Sequence, residues 1–526
     1  MTSATSGLVC AVDRLAAEAG VATLRAGGNA VDAAIATNAV LAVTTQHMCG
    51  LGGDLFALVS LPGEPAPYAL NASGRAGAGA DPARLRAAGH REVPLFGDIA
   101  AVPVPGCVDG WCALSARLGR VPLTQVLEPA IELARDGFPA SPLLARAAPS
   151  IVDLPGADDF RAATHPGAVV RRPGVARTLT AIGADGRDAF YRGEFGAGLR
   201  ALGRRRDAAA EYDDTDLATV QADWVTPLAI DAWGSRVWTA PPNSQGYLSL
   251  AAAWMADRLP LPSDPDDPLW AHLLVEAARV ASYDRVDVLH EHADGAALLA
   301  ADRLAARHAL IRADRAAELP PETYAGGGTI YLCAVDSDRM GVSLIQSNAA
   351  GFGSLIAEPS TGIFLQNRGL GFSTEAGHPA AYGPRRRPPH TLSPALVTTD
   401  DGDLDMVIGT MGGDAQPQVV LQLLARLLHN NETVGDAIAA PRWVLSGRPP
   451  FGNGFDTWQQ AGEVQVHLED SAPAGWEAGL RERGHDVVRH PPLGYNVGHA
   501  HAIGVRGDSL EAASDPRSLA GNAVGY

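Results

Sequence analysis

Gly326-Gly327-Gly328-Thr329 sets a hydroxyl directly after three glycines, at the head of the apolar run Ile330-Tyr331-Leu332-Cys333-Ala334-Val335. That order of residues suits self-cleavage, because glycine lets the preceding peptide adopt strained geometry and admits close approach. The Thr329 hydroxyl could attack the Gly328 carbonyl. An N-to-O shift would give an ester, and water would free an α-amine on Thr329. Such an amine, with a reference pKa of about 7.7–8.0, can serve as general base for the neighbouring hydroxyl, otherwise a weak nucleophile. Taken alone, the four residues describe a glycine turn before a strand equally well, so their surroundings must carry the case.

Ser347 lies at the end of the next strand-like run, Met340 to Ser347, where antiparallel pairing could return its hydroxyl towards Thr329; a plain strand-end serine is the alternative. Asn348 could offer its amide to a substrate or could simply shape a turn. Gly412-Gly413, after Val407-Ile408-Gly409-Thr410-Met411, could aim two backbone N–H groups at an oxyanion, a donor type worth roughly 3–4 kcal/mol when well placed, or could form a tight turn. Cys333, inside the apolar run, reads as a small buried hydrophobe. His499 and His501 could share one strand face, but no carboxylate or cysteine of metal-ligand spacing accompanies them, and no metal is expected. His47 and His390 could line a cleft or pack as hydrogen-bonded core residues. Arg385-Arg386-Arg387 reads as a solvated basic loop. The glycine turns lack the Lys-Ser/Thr ending of a phosphate loop, so no nucleotide cofactor is expected.

The elements that must position these groups are partly visible. Residues 26–43 read as a buried Ala-rich helix with Asn29 as N-cap and Asp32 in its first turn. It hands over, through the glycine turn Gly50-Leu51-Gly52-Gly53-Asp54, to the strand-like Leu55–Val59, which points to layered packing of helices on sheet. Residues 108–315 look mostly helical, with Trp111–Leu118 and Gln125–Asp136 as examples. Ile330–Asp336 and Met340–Ser347 around the turn Ser337-Asp338-Arg339 predict a β-hairpin. Leu319 to Gly328, Pro-rich then Gly-rich, reads as an accessible connection.

Composition bounds the partners. The 59 acidic against 41 basic residues give a net charge of −18, which argues against nucleic acid. The five cysteines form no C-x-x-C pair and suit reduced thiols. No basic-then-apolar leader opens the chain and no apolar stretch is long enough for a bilayer, so a cytoplasmic protein with no membrane partner is expected.

Beyond these readings, Ala26-Gly27-Gly28-Asn29-Ala30-Val31-Asp32-Ala33-Ala34, His47-Met48-Cys49-Gly50-Leu51-Gly52-Gly53, Val104-Pro105-Gly106-Cys107-Val108-Asp109-Gly110-Trp111, Ala440-Pro441-Arg442-Trp443 and Ala513-Ser514-Asp515-Pro516-Arg517 resemble signatures of γ-glutamyltransferase-like proteins, in order along nearly the whole chain. The resemblance implies an α+β fold, the four-layer αββα sandwich of N-terminal-nucleophile hydrolases. It implies a proenzyme that cuts itself into a large chain, 1–328, and a small chain, 329–526, together one αββα fold, with a dimer of such heterodimers as a further assembly. By the same resemblance Thr329 is the nucleophile, Ser347 its supporting hydroxyl, and Gly412 and Gly413 the oxyanion hole.

Departures from the family bear on substrate. Where γ-glutamyl-binding members carry a carboxylate-holding arginine, the segment Asn71-Ala72-Ser73-Gly74-Arg75 has Ser73, with Arg75 two residues away; where they place an aspartate for the α-ammonium, Leu370-Gly371-Phe372-Ser373 has Gly371. His390-Thr391-Leu392-Ser393-Pro394 replaces their Ser-Ser-Met-Ser-Pro. A desolvated ammonium without a carboxylate costs several kcal/mol. Arg368 supplies a guanidinium suited to a bidentate carboxylate contact, with a surface or structural salt bridge as its other reading. Together these look like the branch that includes oxamate amidohydrolase. The expected substrate is a small carboxylate-bearing amide, with Arg368, Arg75, Asn348, His390 and Thr391 as contacts and Thr329, Ser347, Gly412 and Gly413 as the catalytic set. A true γ-glutamyltransferase or glutathione hydrolase, a C–C bond hydrolase acting beside a keto acid, and a non-catalytic member are the alternatives.

Overall fold

The computed structural model describes residues 1–205, 209–320, 328–447, 463–491 and 497–526. Fourteen strands build two central sheets: β1 (Thr2–Ala4), β2 (Leu8–Ala11), β3 (Asp54–Ser60), β4 (Tyr68–Ala72), β5 (Asp223–Val225), β6 (Leu228–Ala232), β7 (Ser235–Thr239), β8 (Ile330–Val335), β9 (Gly341–Ser347), β10 (Ala395–Thr398), β11 (Leu404–Thr410), β12 (Ala500–Arg506), β13 (Ser509–Ser514) and β14 (Asn522–Gly525). One sheet runs β14-β2-β8-β9-β3-β4-β5 and the other β1-β13-β12-β11-β10-β7-β6. All pairings within both are antiparallel.

Side chains alternate across a strand, and β8 shows what that does. Tyr331, Cys333 and Val335 enter an inter-sheet core with Leu396, Val407, Ile503 and Leu510 of the other sheet. Ile330, Leu332 and Ala334 face outward into a second core, against helices α1 (Arg14–Arg25) and α2 (Ala30–Thr44). The far sheet buries its outer face under α3 (Tyr247–Asp257), α4 (Pro268–Ser282) and α5 (Ala415–Leu424). The four layers are therefore helix, sheet, sheet, helix. A strand buried on both faces must be apolar throughout, hence the continuous run that follows Thr329.

Every residue of α2 is buried, as its apolar circumference requires. Asn29 caps it in a reciprocal capping box with Asp32. At its other end the buried Arg172 donates from Nη1 to the carbonyls of Ala42 (3.1 Å) and Val43 (3.4 Å) and to Gln46 Oε1 (3.0 Å). That cap fixes the turn 45–49, whose His47 carbonyl lies beside Gly328. The predicted hairpin forms, with Ile330 opposite Gln346 and Val335 opposite Gly341. Asp336 Oδ1 closes its turn by accepting from the amides of Asp338 and Met340.

Two expectations need correction. Residues 108–315 hold the expected helices but also β5, β6 and β7, which complete the edges of both sheets. Arg385-Arg386-Arg387 is solvated only in part: Arg385 is exposed, but the two arginines after it turn inward. Arg387 is buried, donating from Nε to the Ser73 carbonyl (2.8 Å) and pairing Nη1 with Asp223 (2.7 Å), while Arg386 binds Glu291. The Leu319–Gly328 connection lies largely outside the described residues.

Candidate active site

Continuing the hairpin register by one residue sets Thr329 opposite Ser347, which itself pairs with Asp54 on β3. Thr329 Oγ1 lies 2.7 Å from the Gly328 carbonyl oxygen and 3.1 Å from Ser347 Oγ. The Ser347 hydroxyl accepts from the Ala349 amide (2.8 Å) and donates to the same Gly328 oxygen (2.8 Å). One carbonyl thus meets two hydroxyls, and Thr329 and Ser347 are each 1% exposed. A Cβ at Gly328 would stand 2.9 Å from the Gly351 amide nitrogen, so this approach needs glycine.

β11 crosses β8 on the neighbouring sheet. A Cβ on Gly341, paired with Val335, would meet the Leu404 side chain, and one on Gly409 would strike the Tyr331 ring at 2.3 Å. β11 ends at Thr410, and the turn that follows it carries Gly412 and Gly413. Gly412 (φ 138°) and Gly413 (φ 59°) both adopt left-handed backbone. Their carbonyls are held, Gly412 O by the Ala415 amide (3.0 Å) and Gly413 O by the Gln416 amide (3.3 Å) and Gln245 Nε2 (3.0 Å). Neither glycine amide donates to a partner among the described residues. Two undirected N–H groups on a strained turn can receive an oxyanion.

A polar cluster adjoins β3. Asp54 Oδ1 accepts from the amides of Gly74 (2.9 Å) and Gly106 (3.2 Å) and from Gln366 Nε2 (2.8 Å), and Oδ2 meets His390 Nε2 at 3.1 Å. His390 Nδ1 accepts from the Leu392 amide (3.3 Å), so Nε2 carries the proton. Burial, helped by Arg368 and opposed by Asp54, pushes His390 down to about 3. The contact to Asp54 is therefore a hydrogen bond from a neutral imidazole and not an ion pair. Arg368 is fully buried and donates from Nη1 to Thr391 Oγ1 (3.1 Å). Burial lowers it to about 10, with Asp54 and Asp414 holding it up, so it stays cationic at neutral pH. A surface position for Arg368 is excluded.

Arg75 is engaged elsewhere, pairing Nη2 with Asp223 on β5 (2.8 Å) and donating from Nη1 to Gln221 and the Val220 carbonyl. Asn348 turns its amide nitrogen back to the Gln46 carbonyl (3.2 Å). His47, whose own carbonyl lies beside Gly328, is buried with no hydrogen-bond partner on either ring nitrogen among the described residues, and burial pushes it down to about 3. His501 stacks on Tyr331, and among the described residues no group of three or more metal-ligating side chains forms. Burial raises the Cys49, Cys107 and Cys333 thiols well above their ordinary value, and all five cysteines are free. A thiolate nucleophile has no support.

Sequence reasoning passed over Asp54, Gln366 and Gln245. An acid opening an otherwise apolar buried strand was the one available signal for Asp54.

A hydroxyl at the start of an inner strand, held on the carbonyl before it between two sheets, is the layout of an N-terminal-nucleophile hydrolase. The chain belongs to the gamma-glutamyltranspeptidase family, whose model matches residues 16–525. It is similar to the oxamate amidohydrolase proenzyme of Klebsiella pneumoniae subsp. pneumoniae, 36% identical over 99% of each chain. It is likewise similar to the glutathione hydrolase-like YwrD proenzyme of Bacillus subtilis, 34% identical over 99% of this chain and 98% of that one. Among solved structures, cephalosporin acylase from Bacillus halodurans matches with a TM-score of 0.88 and 32% identity, covering 100% of this chain and 96% of its own. The protein is thus a γ-glutamyltransferase-like N-terminal-threonine hydrolase with the αββα fold.

Proposed function

We propose that the chain cuts itself between Gly328 and Thr329 and then hydrolyses a small carboxylate-bearing amide, such as oxamate, through an acyl-enzyme on Thr329. The observation that carries this reading is the pair of hydroxyls on one oxygen, Thr329 Oγ1 at 2.7 Å and Ser347 Oγ at 2.8 Å from Gly328 O. In maturation, Thr329 Oγ attacks the Gly328 carbonyl carbon and Ser347 O–H holds the oxyanion. Collapse breaks the C–N bond, the leaving nitrogen takes up the proton that the Thr329 hydroxyl gave up and becomes the α-amine, and water hydrolyses the resulting ester. The products are a large chain, 1–328, and a small chain, 329–526, that begins with a free amine.

In turnover that amine takes the Thr329 hydroxyl proton as the oxygen attacks the substrate amide. The Gly412 and Gly413 N–H groups receive the oxyanion, ammonia leaves with the proton, and water releases the acid. Arg368 and Thr391 bind the substrate carboxylate, with His390 and Asn348 beside them. Arg75, tied to Asp223, plays a supporting part. Asp54, paired with Ser347 across β3 and β9, already accepts four hydrogen bonds, which disfavours a substrate ammonium there. The likeness to the Klebsiella oxamate amidohydrolase proenzyme supports the same substrate class.

Intact mass of purified protein tests the first step, with two fragments meeting at Gly328 and Thr329 expected. Ammonia release from oxamate tests the second. Efficient hydrolysis of a γ-glutamyl anilide with oxamate untouched would sink the substrate assignment; a chain that stays whole would sink the proenzyme assignment.

A further inference from the structure

Gln245 stands between the two halves of this site. It lies just before α3, in the segment Pro241-Pro242-Asn243-Ser244-Gln245, and is fully buried. Its backbone amide donates to the His390 carbonyl (2.9 Å). Its side-chain Nε2 donates at once to the Thr391 carbonyl (3.1 Å) and to the Gly413 carbonyl (3.0 Å). Two carbonyl acceptors on one nitrogen fix the orientation of the amide group, since the reverse placement would press oxygen against two oxygens. Thr391 is also the residue whose hydroxyl receives Arg368, and Gly413 is one of the two glycines with undirected amides. Across the oxyanion turn, Gln416 Oε1 accepts from the Ser393 amide (3.1 Å), so the loop 390–393 is tied to that turn from both sides.

We infer that Gln245 is a positioning residue that locks the oxyanion turn to the carboxylate-holding loop, so that the acyl carbonyl and the substrate carboxylate are gripped in one fixed relation. The inference rests on the proposed roles of Gly413 and Thr391. A small substrate offers few atoms through which to be oriented, so the spacing between its two grips must come from the protein. Free to move by an ångström, either loop would still bind its half of the substrate but would align it poorly for attack.

The test uses mature enzyme and two probes. p-Nitrophenyl acetate is an activated ester that acetylates Thr329 with help from the oxyanion amides but without a carboxylate contact; oxamate needs both. Gln245→Met keeps the side-chain volume and removes the donor. It is expected to mature with a near-native thermal midpoint, to lower the acetylation rate roughly ten-fold or more, and to raise KM for oxamate as well as lowering kcat. Gln245→Glu, which faces both carbonyls with oxygen, should be worse on both probes. A residue that merely fills space would leave Gln245→Met within two-fold of wild type on both, and that result overturns the inference. Should Gln245→Met fail to mature, Gln245→Asn, with its donors on a shorter arm, is read the same way; failure of all three to fold counts against the inference too. Wild-type enzyme that is acetylated by the ester yet leaves oxamate untouched would sink the substrate assignment and leave this one standing.

Discussion

Thr329 has one hydroxyl proton and two oxygens within reach of it, Gly328 O and Ser347 Oγ. Replacing Thr329 by Ala should leave one uncut chain of 526 residues without activity, read directly by intact mass. Ser347→Ala removes the donor from the Gly328 carbonyl and should slow self-cleavage by about 10²–10³, as loss of an oxyanion donor does, followed by denaturing electrophoresis over time. The pH profile has a definite sign. The Thr329 amine must be unprotonated to act as base, so kcat/KM on oxamate should rise with pH through a pKa near the α-amine reference of about 7.7–8.0. His390 and His47, both pushed down to about 3, are neutral throughout that range and should add no second limb. The pairing of Thr329 with Ser347 was legible because hairpin register acts over short spans, whereas spacing alone left Gly412 and Gly413 open between a tight turn and an oxyanion hole. The contact of His390 with Asp54 was not legible, because it joins residues 336 positions apart.

At the level of elements, α2 and the β8–β9 hairpin could be read from sequence because each has a single dominant period. β5 and β6, edge strands half-exposed over most of their length, and β7, five residues long beside β6, escaped notice inside a region dominated by helical patterns. The crossing of β11 over β8 depends on Gly409, whose lack of a side chain lets the Tyr331 ring close the inter-sheet core. Gly409→Ala forces a Cβ into that ring and should cost roughly 1–3 kcal/mol, seen as a lower thermal midpoint. It should also hinder turnover, since β11 leads from Gly409 into the Gly412–Gly413 turn and β8 follows directly on Thr329.

Over the whole molecule, the motifs Ala440-Pro441-Arg442-Trp443 and Ala513-Ser514-Asp515-Pro516-Arg517 meet as a buried ion network. Arg442 pairs with Asp515 (2.6 Å) and Arg517 with Glu469 (2.9 Å). Burial pushes the Asp515 carboxyl up, but the two guanidiniums outweigh it and hold it well below its usual range. Acid should unfold the protein through its histidines first. His47, His390 and His501 sit at about 3 in the folded chain against an ordinary value of 6.5, so between those limits the unfolded chain binds more protons. Stability is therefore complete above about pH 6.5 and falls as pH drops, by up to about 1.4 kcal/mol per pH unit for each imidazole. Thermal midpoints across that window check it.

The strand order has a last consequence. β8 lies between β2 and β9, while β1 pairs with β13 and β2 with β14. Once the Gly328–Thr329 bond is cut, neither product owns a complete sheet, and folding turns from a unimolecular reaction into a bimolecular one. The tether that gave each half an effective concentration in the millimolar range is lost. Uncut Thr329→Ala should regain its structure from denaturant at a rate independent of dilution, whereas the mature protein, diluted from the same denaturant, should not. Maturation would make the native state a one-way product, whose lifetime is set by its unfolding barrier.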